Sequence, residues 1–112
     1  MRIVLIGQAA FGAEVLKRLL EKGEEVVAVY VPPDVPGAKG DPLKSLAAER
    51  GVGIRQPVRM RGPGVFKDFA RLRPDLAVMA FVTDIVPQSI LACPRLGTIQ
   101  YHPSLLPRHR GG

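Results

Sequence analysis

The sequence predicts an α/β fold: a doubly wound, mainly parallel, Rossmann-like β-sheet with helices on both faces. Short apolar runs rich in β-branched residues recur along the chain, as strands buried on both faces require. Segments with apolar residues at helical spacing separate these runs, and strand–helix–strand units of this length form parallel pairs. A chain of 112 residues suffices for one domain, which we expect to span residues 1–112.

The first half of the chain contains three predicted strands, at residues 2–6, 26–31 and 52–55. Gly7 ends the first apolar run, and from Gly12 the pattern changes to that of a helix with apolar residues on one face. Gly23 follows this helix, in the position where a glycine commonly ends one. A loop rich in proline and glycine then separates the second strand from a short predicted helix at residues 43–50.

The second half adds two predicted helices and two predicted strands. The helices cover residues 65–72 and 87–92, and the strands cover residues 76–81 and 98–101. The run at residues 76–81 is the most apolar of the five predicted strands. Because strands and helices alternate in this way, the sequence favours a parallel sheet over separate layers of strands and helices.

Composition limits the class of protein. Hydrophobic residues make up 46% of the chain, which is too apolar for disorder, and no apolar run is long enough to cross a bilayer. The lone Cys93 cannot form an internal disulfide, and one cysteine with two histidines does not reach the spacing of a zinc site. We therefore expect a cytoplasmic protein without a membrane segment and without a bound metal.

Basic residues exceed acidic residues and give the chain a net charge of +6. Many of them lie between Arg50 and Arg73, in a basic belt that could attract RNA or a small polyanion. Aromatic residues are only 5% of the chain, so a platform for stacking bases is not expected. A solvated basic surface is the simpler interpretation of the belt.

The turn after the first strand lies where dinucleotide-binding folds hold a pyrophosphate at a helix N-terminus. The spacing of Gly7 and Gly12 does not match the dinucleotide fingerprint, and no acidic residue ends the second strand to bind a ribose. We therefore do not expect an NAD site. The glycines either allow a tight strand-to-helix turn or line a site for another ligand.

Two predicted strands deliver polar residues to the edge where open parallel sheets bind ligands, the carboxyl ends of the strands. Residues 81–84 follow the fourth strand, and the fifth strand ends at Gln100 and Tyr101, just before His102. An imidazole with a pKa of about 6.5 can exchange a proton with a reacting carbonyl centre near neutral pH. His102 is therefore a candidate catalytic residue, with a structural role as the alternative.

The most distinctive motif lies near the C-terminal end, at residues 101–111: Tyr101-His102-Pro103-Ser104-Leu105-Leu106-Pro107-Arg108-His109-Arg110-Gly111. This string resembles the signature of the folate-dependent formyltransferase family, which includes methionyl-tRNA formyltransferase and glycinamide ribonucleotide formyltransferase. The similarity is greatest to a further member, the N-terminal hydrolase domain of 10-formyltetrahydrofolate dehydrogenase. That domain also has segments similar to Ile6-Gly7-Gln8, Phe11-Gly12 and Asp41-Pro42-Leu43.

The resemblance implies a protein that transfers or hydrolyses the formyl group of 10-formyltetrahydrofolate, a small-molecule folate partner. It implies that His102 lies beside the formyl carbon and stabilises the oxyanion of a tetrahedral intermediate, with Gln100 in the position of a second donor. It also implies that the pterin ring lies against the loop after the fourth strand, formed here by Phe81, Val82, Thr83 and Asp84. We add three residues of the closing string to this folate site: Ser104, Arg108 and Arg110. The two arginines could bind a glutamyl tail or a phosphate, or could order the loop.

Two departures from the family pattern affect these expectations. Gln100 replaces an asparagine of the transferases, and its extra methylene displaces the amide donor by about an ångström. The hydrolase domain accepts an apolar residue at this position, so Gln100 favours a hydrolase. The family also moves protons with an aspartate farther along the chain, which would lie beyond Gly112. We therefore expect residues 1–112 to be an N-terminal part of the catalytic unit, incomplete at its C-terminal end.

Two other functions stay open: a module that binds folate or a nucleotide without turnover, and a fragment whose main behaviour is self-association. If the catalytic unit is incomplete at its C-terminal end, the fifth strand lacks a neighbour on one side. An unpaired apolar edge of this kind favours pairing with another chain. We therefore expect a homo-oligomer, most simply a homodimer. The formyl acceptor is undetermined among water, an amino sugar, a nucleotide and tRNA. We expect no nucleic-acid partner except tRNA, if the protein is a transferase.

Overall fold

A computed structural model describes residues 1–101 of the chain. These residues form five strands: β1 Arg2–Gly7, β2 Glu25–Tyr30, β3 Gly53–Arg55, β4 Leu76–Ala80 and β5 Thr98–Tyr101. Helices alternate with the strands: α1 Ala9–Glu21, α2 Pro42–Glu49, α3 Val65–Arg71 and α4 Gln88–Leu91. Every predicted strand and helix is therefore present, with bounds within a few residues of the prediction.

The strands of the described part form one sheet in the order β3-β2-β1-β4-β5, and every neighbouring pair is parallel. The chain proceeds outward from β1 to β3 and then crosses to the other side of β1 with β4. This reversal places a topological switch point between β1 and β4, where the following loops diverge to opposite faces and leave a crevice. The predicted doubly wound parallel sheet is confirmed.

Helices α1 and α2 pack on one face of the sheet, and α3 and α4 pack on the other. Alternate residues of β1 consequently enter separate halves of the core. On β1, Ile3 and Leu5 belong to the α1–α2 half, whereas Val4 and Ile6 belong to the α3–α4 half. All four side chains are buried, as a continuous apolar run predicts for a strand covered on both faces.

Helix α1 begins earlier than the sequence predicts. Its first residue is Ala9 rather than Gly12, and its first helical hydrogen bond runs from the Gly12 N–H to the Gln8 carbonyl oxygen at 3.0 Å. Gly12 lies inside the helix, where α1 packs closely on α2: a Cβ there would lie only 3.1 Å from Cδ2 of Leu43. The glycine therefore marks a close contact between two helices and not a helix boundary.

Helix α2 starts with two features that favour a helix N-terminus. The Asp41 side chain accepts a hydrogen bond from the Leu43 N–H at 2.8 Å, so Asp41 is the N-cap. Pro42 occupies the first helical position, where its missing N–H is not needed.

The structure also describes Cys93 and the length of the helices. Cys93 is only partly buried, because it follows α4 at the margin of the α3–α4 half of the core. Among the helices of residues 1–101, none combines the length and the apolar character needed to cross a bilayer.

Candidate functional site

The carboxyl ends of β1, β2 and β4 surround a cavity of about 380 Å³. It lies on the α3–α4 side of the sheet, since its lining includes Ile6, Tyr30 and Met60, which belong to that half of the core. The loops that line it are residues 31–33 after β2, residues 57–61 before α3 and residues 81–84 after β4. The cavity therefore opens at the switch point, where doubly wound sheets bind their ligands.

The turn between β1 and α1 forms one wall of this cavity. Gly7 is required in the turn because a Cβ would overlap the carbonyl oxygen of Ala80 on β4. The Gln8 Nε2 donates a hydrogen bond to the Thr83 Oγ1 at 3.1 Å, which joins the turn to the loop after β4. Gly7 thus has a packing role between two strands and also lines the cavity.

Residues 81–84 form the adjoining wall and turn sharply away from β4. Phe81 has a φ of 61°, in the left-handed region that non-glycine residues rarely adopt, and it is 45% exposed. The Asp84 carboxylate accepts hydrogen bonds from the backbone N–H groups of Met60 at 2.6 Å and Ile85 at 2.7 Å. Asp84 therefore holds residues 57–61 against the loop after β4. Strained backbone beside a cavity is typical of a functional site.

A buried tyrosine at the end of β2 contributes a third wall. The Tyr30 hydroxyl donates a hydrogen bond of 2.5 Å to Asp68 on α3, and Asp68 also accepts one from Arg55 Nε on β3 at 3.1 Å. Burial, followed by the hydrogen bond to the Asp68 carboxylate, raises the pKa of Tyr30 far above its ordinary value. Tyr30 therefore stays protonated at neutral pH and connects β2 to α3.

Asp41 connects the N-termini of α1 and α2. Its two carboxylate oxygens lie 3.0 and 2.9 Å from the backbone nitrogen of Ala9, and Oδ1 also accepts from the Leu43 N–H. Ala9 has a φ of 67° and is thus a second left-handed residue beside the switch point. The first N–H of α1 is therefore occupied by a carboxylate of the protein itself.

The carboxylates near the strand ends are engaged in bonds within the protein. Asp84 and Asp41 accept backbone N–H groups, and Asp34 forms an ion pair with Lys44 at 2.7 Å. Within residues 1–101, no group of three or more His, Cys, Asp or Glu side chains is close enough together to hold a metal ion. The cavity lining therefore combines apolar side chains with backbone groups, neutral polar side chains, two arginines and the Asp84 carboxylate, which is already hydrogen-bonded within the protein.

The residues predicted for the folate site fall into three groups. Four of them line the cavity: Phe81, Val82, Thr83 and Asp84. Gln100 is exposed on β5 and pairs with Met79 of β4, so it lies on the same sheet face as the cavity but does not line it. The others lie outside the described residues: His102, Ser104, Arg108 and Arg110.

Sequence reasoning missed several residues that shape the cavity. Arg59 and Arg61 belong to the basic belt, for which the sequence favours a solvated surface, yet both line the cavity. For Gln8, the only sequence feature that indicated a role in the site was the resemblance of its turn to the family. No sequence feature indicated a role for Tyr30, because its partner Asp68 is 38 residues away in the sequence.

Comparison with known proteins decides the assignment. The family described as Formyl transferase matches residues 1–112 of the chain. The chain belongs to the formyl transferase family. Its relatives in this family include the methionyl-tRNA formyltransferases of Pseudomonas paraeruginosa, 47% identical, and Geobacter sulfurreducens, 41% identical. Each alignment is 116 positions long and covers 99% of this chain. The chain spans 37% of the length of either relative.

A solved structure supports the same formyl transferase fold. Phosphoribosylglycinamide formyltransferase from Bacillus halodurans matches with a TM-score of 0.71 over 96% of this chain and 59% of that one. The two sequences are 18% identical, so this match concerns the fold alone. The predicted resemblance to the formyltransferase family is thus confirmed by the sequence relatives, and the predicted architecture by the structural neighbour.

Proposed function

We propose that the chain forms the folate-binding part of an enzyme that transfers or hydrolyses the formyl group of 10-formyltetrahydrofolate. The observation that carries this proposal is the cavity at the switch point, which is lined by residues 81–84, the loop assigned to the pterin by resemblance. Its volume of about 380 Å³ lies within the range of small-molecule sites. The family match over residues 1–112 supports formyl transfer as the reaction class.

The cavity offers a flat heteroaromatic ring both apolar contacts and hydrogen bonds. Phe81 and Val82 supply apolar surface, while Gln8 and Thr83 supply polar groups where the two adjoining walls meet. In the proposed reaction, the His102 imidazole donates to the formyl oxygen as negative charge develops on it. Gln100, on the same sheet face as the cavity, is the proposed second donor.

The formyl acceptor divides the proposal into two versions. Water as the acceptor is favoured by Gln100, whose extra methylene displaces the amide donor of a transferase. Methionyl-tRNA is favoured by the relatives, several of which are methionyl-tRNA formyltransferases, and by the net charge of +6, which suits a polyanionic partner. We further propose a cytoplasmic location, since the lone Cys93 fits a reducing compartment.

Calorimetric titration with a stable analogue of 10-formyltetrahydrofolate tests the donor site. We expect saturable binding, and we expect Thr83→Val to weaken it about fivefold because the variant keeps the side-chain shape but removes one hydroxyl from the cavity wall. Thr98→Val is the matched control, since the Thr98 hydroxyl donates to the Leu91 carbonyl oxygen and does not line the cavity. His102→Ala should retain binding, because the proposed role of His102 is exerted during the reaction.

A folded chain that does not bind the analogue would contradict the proposal of a folate site in these residues. The acceptor is tested separately, in a preparation that turns over 10-formyltetrahydrofolate, by measuring formate release and formyl-methionyl-tRNA in parallel. Formate without formyl-methionyl-tRNA would support water as the acceptor, and the opposite result would support the transferase. We expect Gln100→Asn to raise the ratio of transfer to hydrolysis, because it restores the amide position of the transferases.

A further inference from the structure

The N-terminus of α1 is the position where doubly wound folds ordinarily bind an anion. The first N–H groups of a helix have no helical partner, and the helix dipole favours negative charge beside them. In α1, which spans 13 residues, the first helical bond begins at the Gly12 N–H. The N–H groups of Ala9, Ala10 and Phe11 therefore precede it, next to the switch point. These N–H groups are where a phosphate-bearing ligand would be expected to bind.

In this chain, a carboxylate already lies at that position. Both Asp41 oxygens are within 3.0 Å of the Ala9 nitrogen, and one of them also caps α2 through the Leu43 N–H. A single carboxylate thus satisfies the first N–H groups of two helices. The φ of 67° at Ala9 shows that the backbone adopts an unfavourable conformation where it presents its N–H to Asp41. The contact is therefore built into the fold.

We propose that Asp41 is a specificity-determining residue: its carboxylate fills the anion position of α1 and excludes ligands that would bind there through a phosphate. A phosphate at these N–H groups would lie beside a carboxylate of the same sign, an arrangement that disfavours binding strongly. Exclusion of phosphate is a property of the chain itself. Only its consequence for the formyl acceptor rests on the proposed function.

That consequence concerns the class of acceptor. An acceptor whose phosphate must be held at α1 is excluded, whereas water is accepted. An aminoacyl group attached to a nucleic acid is also accepted if the phosphates of that nucleic acid bind elsewhere, for example along the basic belt. Arg59 and Arg61 of the belt line the cavity on the opposite side of the sheet edge from Asp41. Asp41 therefore directs anionic groups away from α1.

Two substitutions remove the negative charge of Asp41 and differ in how much of its space they leave filled. Asp41→Asn keeps a side-chain oxygen for the N–H groups but removes the negative charge. Asp41→Ser keeps a favourable N-cap for α2 and has a side chain too short to serve both helices. Glu49→Gln is the matched control, because it makes the same change in net charge at the exposed end of α2.

Inorganic phosphate is the probe, titrated into the isotope-labelled chain while NMR follows the amide signals of Ala9, Ala10 and Phe11. We expect no saturable shift in the wild-type chain or in Glu49→Gln. We expect saturable shifts in both Asp41 variants, with affinity at least about tenfold higher than any wild-type binding. Thermal melting monitored by circular dichroism identifies which variants are folded.

Saturable phosphate binding by the wild-type chain at these amides would overturn the proposal, since the carboxylate would then fail to exclude an anion. Absence of phosphate binding in the folded Asp41 variants would overturn it as well, because another feature would then keep the site empty. Titration of the folate analogue into the same samples distinguishes this proposal from the proposed function. A chain that gains phosphate binding on replacement of Asp41 but never binds the analogue would support the role of Asp41 and contradict the folate site.

Discussion

At the scale of single residues, Asp84 sets the shape of the cavity by joining two of its loops. Its carboxylate accepts the N–H groups of Met60 and Ile85, and Met60 is only 5% exposed. Asp84→Ala would leave the partly buried Met60 N–H at the cavity wall without this acceptor. We expect the variant to lower the free energy of unfolding by about 1–3 kcal/mol and to weaken binding of the folate analogue.

Urea denaturation and calorimetry measure these two effects, and two variants serve as comparisons. Asp84→Asn keeps one acceptor oxygen, so we expect a smaller loss of stability. Asp34→Asn removes an exposed carboxylate that pairs with Lys44 and accepts a hydrogen bond from Gln56 Nε2, and we expect little change in stability or binding. Equal stability of Asp84→Ala and the wild-type chain would mean that the Met60 N–H finds another acceptor.

The residues of the site differ in how far the sequence could predict them. The loop of residues 81–84 was predictable, because it follows an apolar strand and open sheets bind ligands at that end. The left-handed conformations of Ala9 and Phe81 were not, because alanine and phenylalanine rarely adopt positive φ. Asp41 was matched only as part of a family segment. Its contact with Ala9 depends on how two loops meet, 32 residues apart in the sequence.

At the scale of elements, the hydrogen bonds among Tyr30, Asp68 and Arg55 connect β2, α3 and β3. The pKa of Tyr30 is raised in the folded protein, so the unfolded chain loses this proton first, at a pH of about 10. Above that pH, the contribution of Tyr30 to the free energy of unfolding falls. We expect Tyr30→Phe to be about 1 kcal/mol less stable than the wild-type chain at neutral pH, with a smaller difference in more alkaline solution.

Urea denaturation at a series of pH values measures this difference between the two chains. Tyr101→Phe is the control at neutral pH, because it removes the hydroxyl of a tyrosine that is 46% exposed, and we expect its stability to equal that of the wild-type chain. A difference between the wild-type chain and Tyr30→Phe that stays constant through pH 10 would contradict the assignment of the alkaline loss to Tyr30.

Whole strands and helices were predictable because hydrophobic periodicity is a local property of the sequence. The sequence predicts the start of α1 at Gly12, but the helix begins at Ala9. The absence of a side chain at Gly12 serves a contact with Leu43 on α2, which no local pattern reveals. The pairing of β4 with β1 likewise depends on packing across the sheet, so the strand order emerged only from the structure.

At the scale of the whole molecule, the two edges of the sheet have different lengths and exposures. β3 closes one edge with three residues, and β5 closes the other within the described part of the chain. Ile99 and Tyr101 on β5 are each 46% exposed. An edge strand with exposed apolar side chains is a template for pairing with a second chain. The homo-oligomer expected from the sequence is therefore a prediction about β5 in particular.

Ile99→Lys tests this prediction, because a charged side chain on an edge strand opposes pairing with another strand. Sedimentation velocity across a wide range of concentrations should show self-association of the wild-type chain and a shift toward monomer in the variant. Phe66→Lys is the matched control: Phe66 is 45% exposed but lies on α3, so the variant adds the same charge away from the edge. An equal shift in both variants would assign the effect to charge repulsion in general, and a wild-type monomer at every concentration would contradict the homo-oligomer.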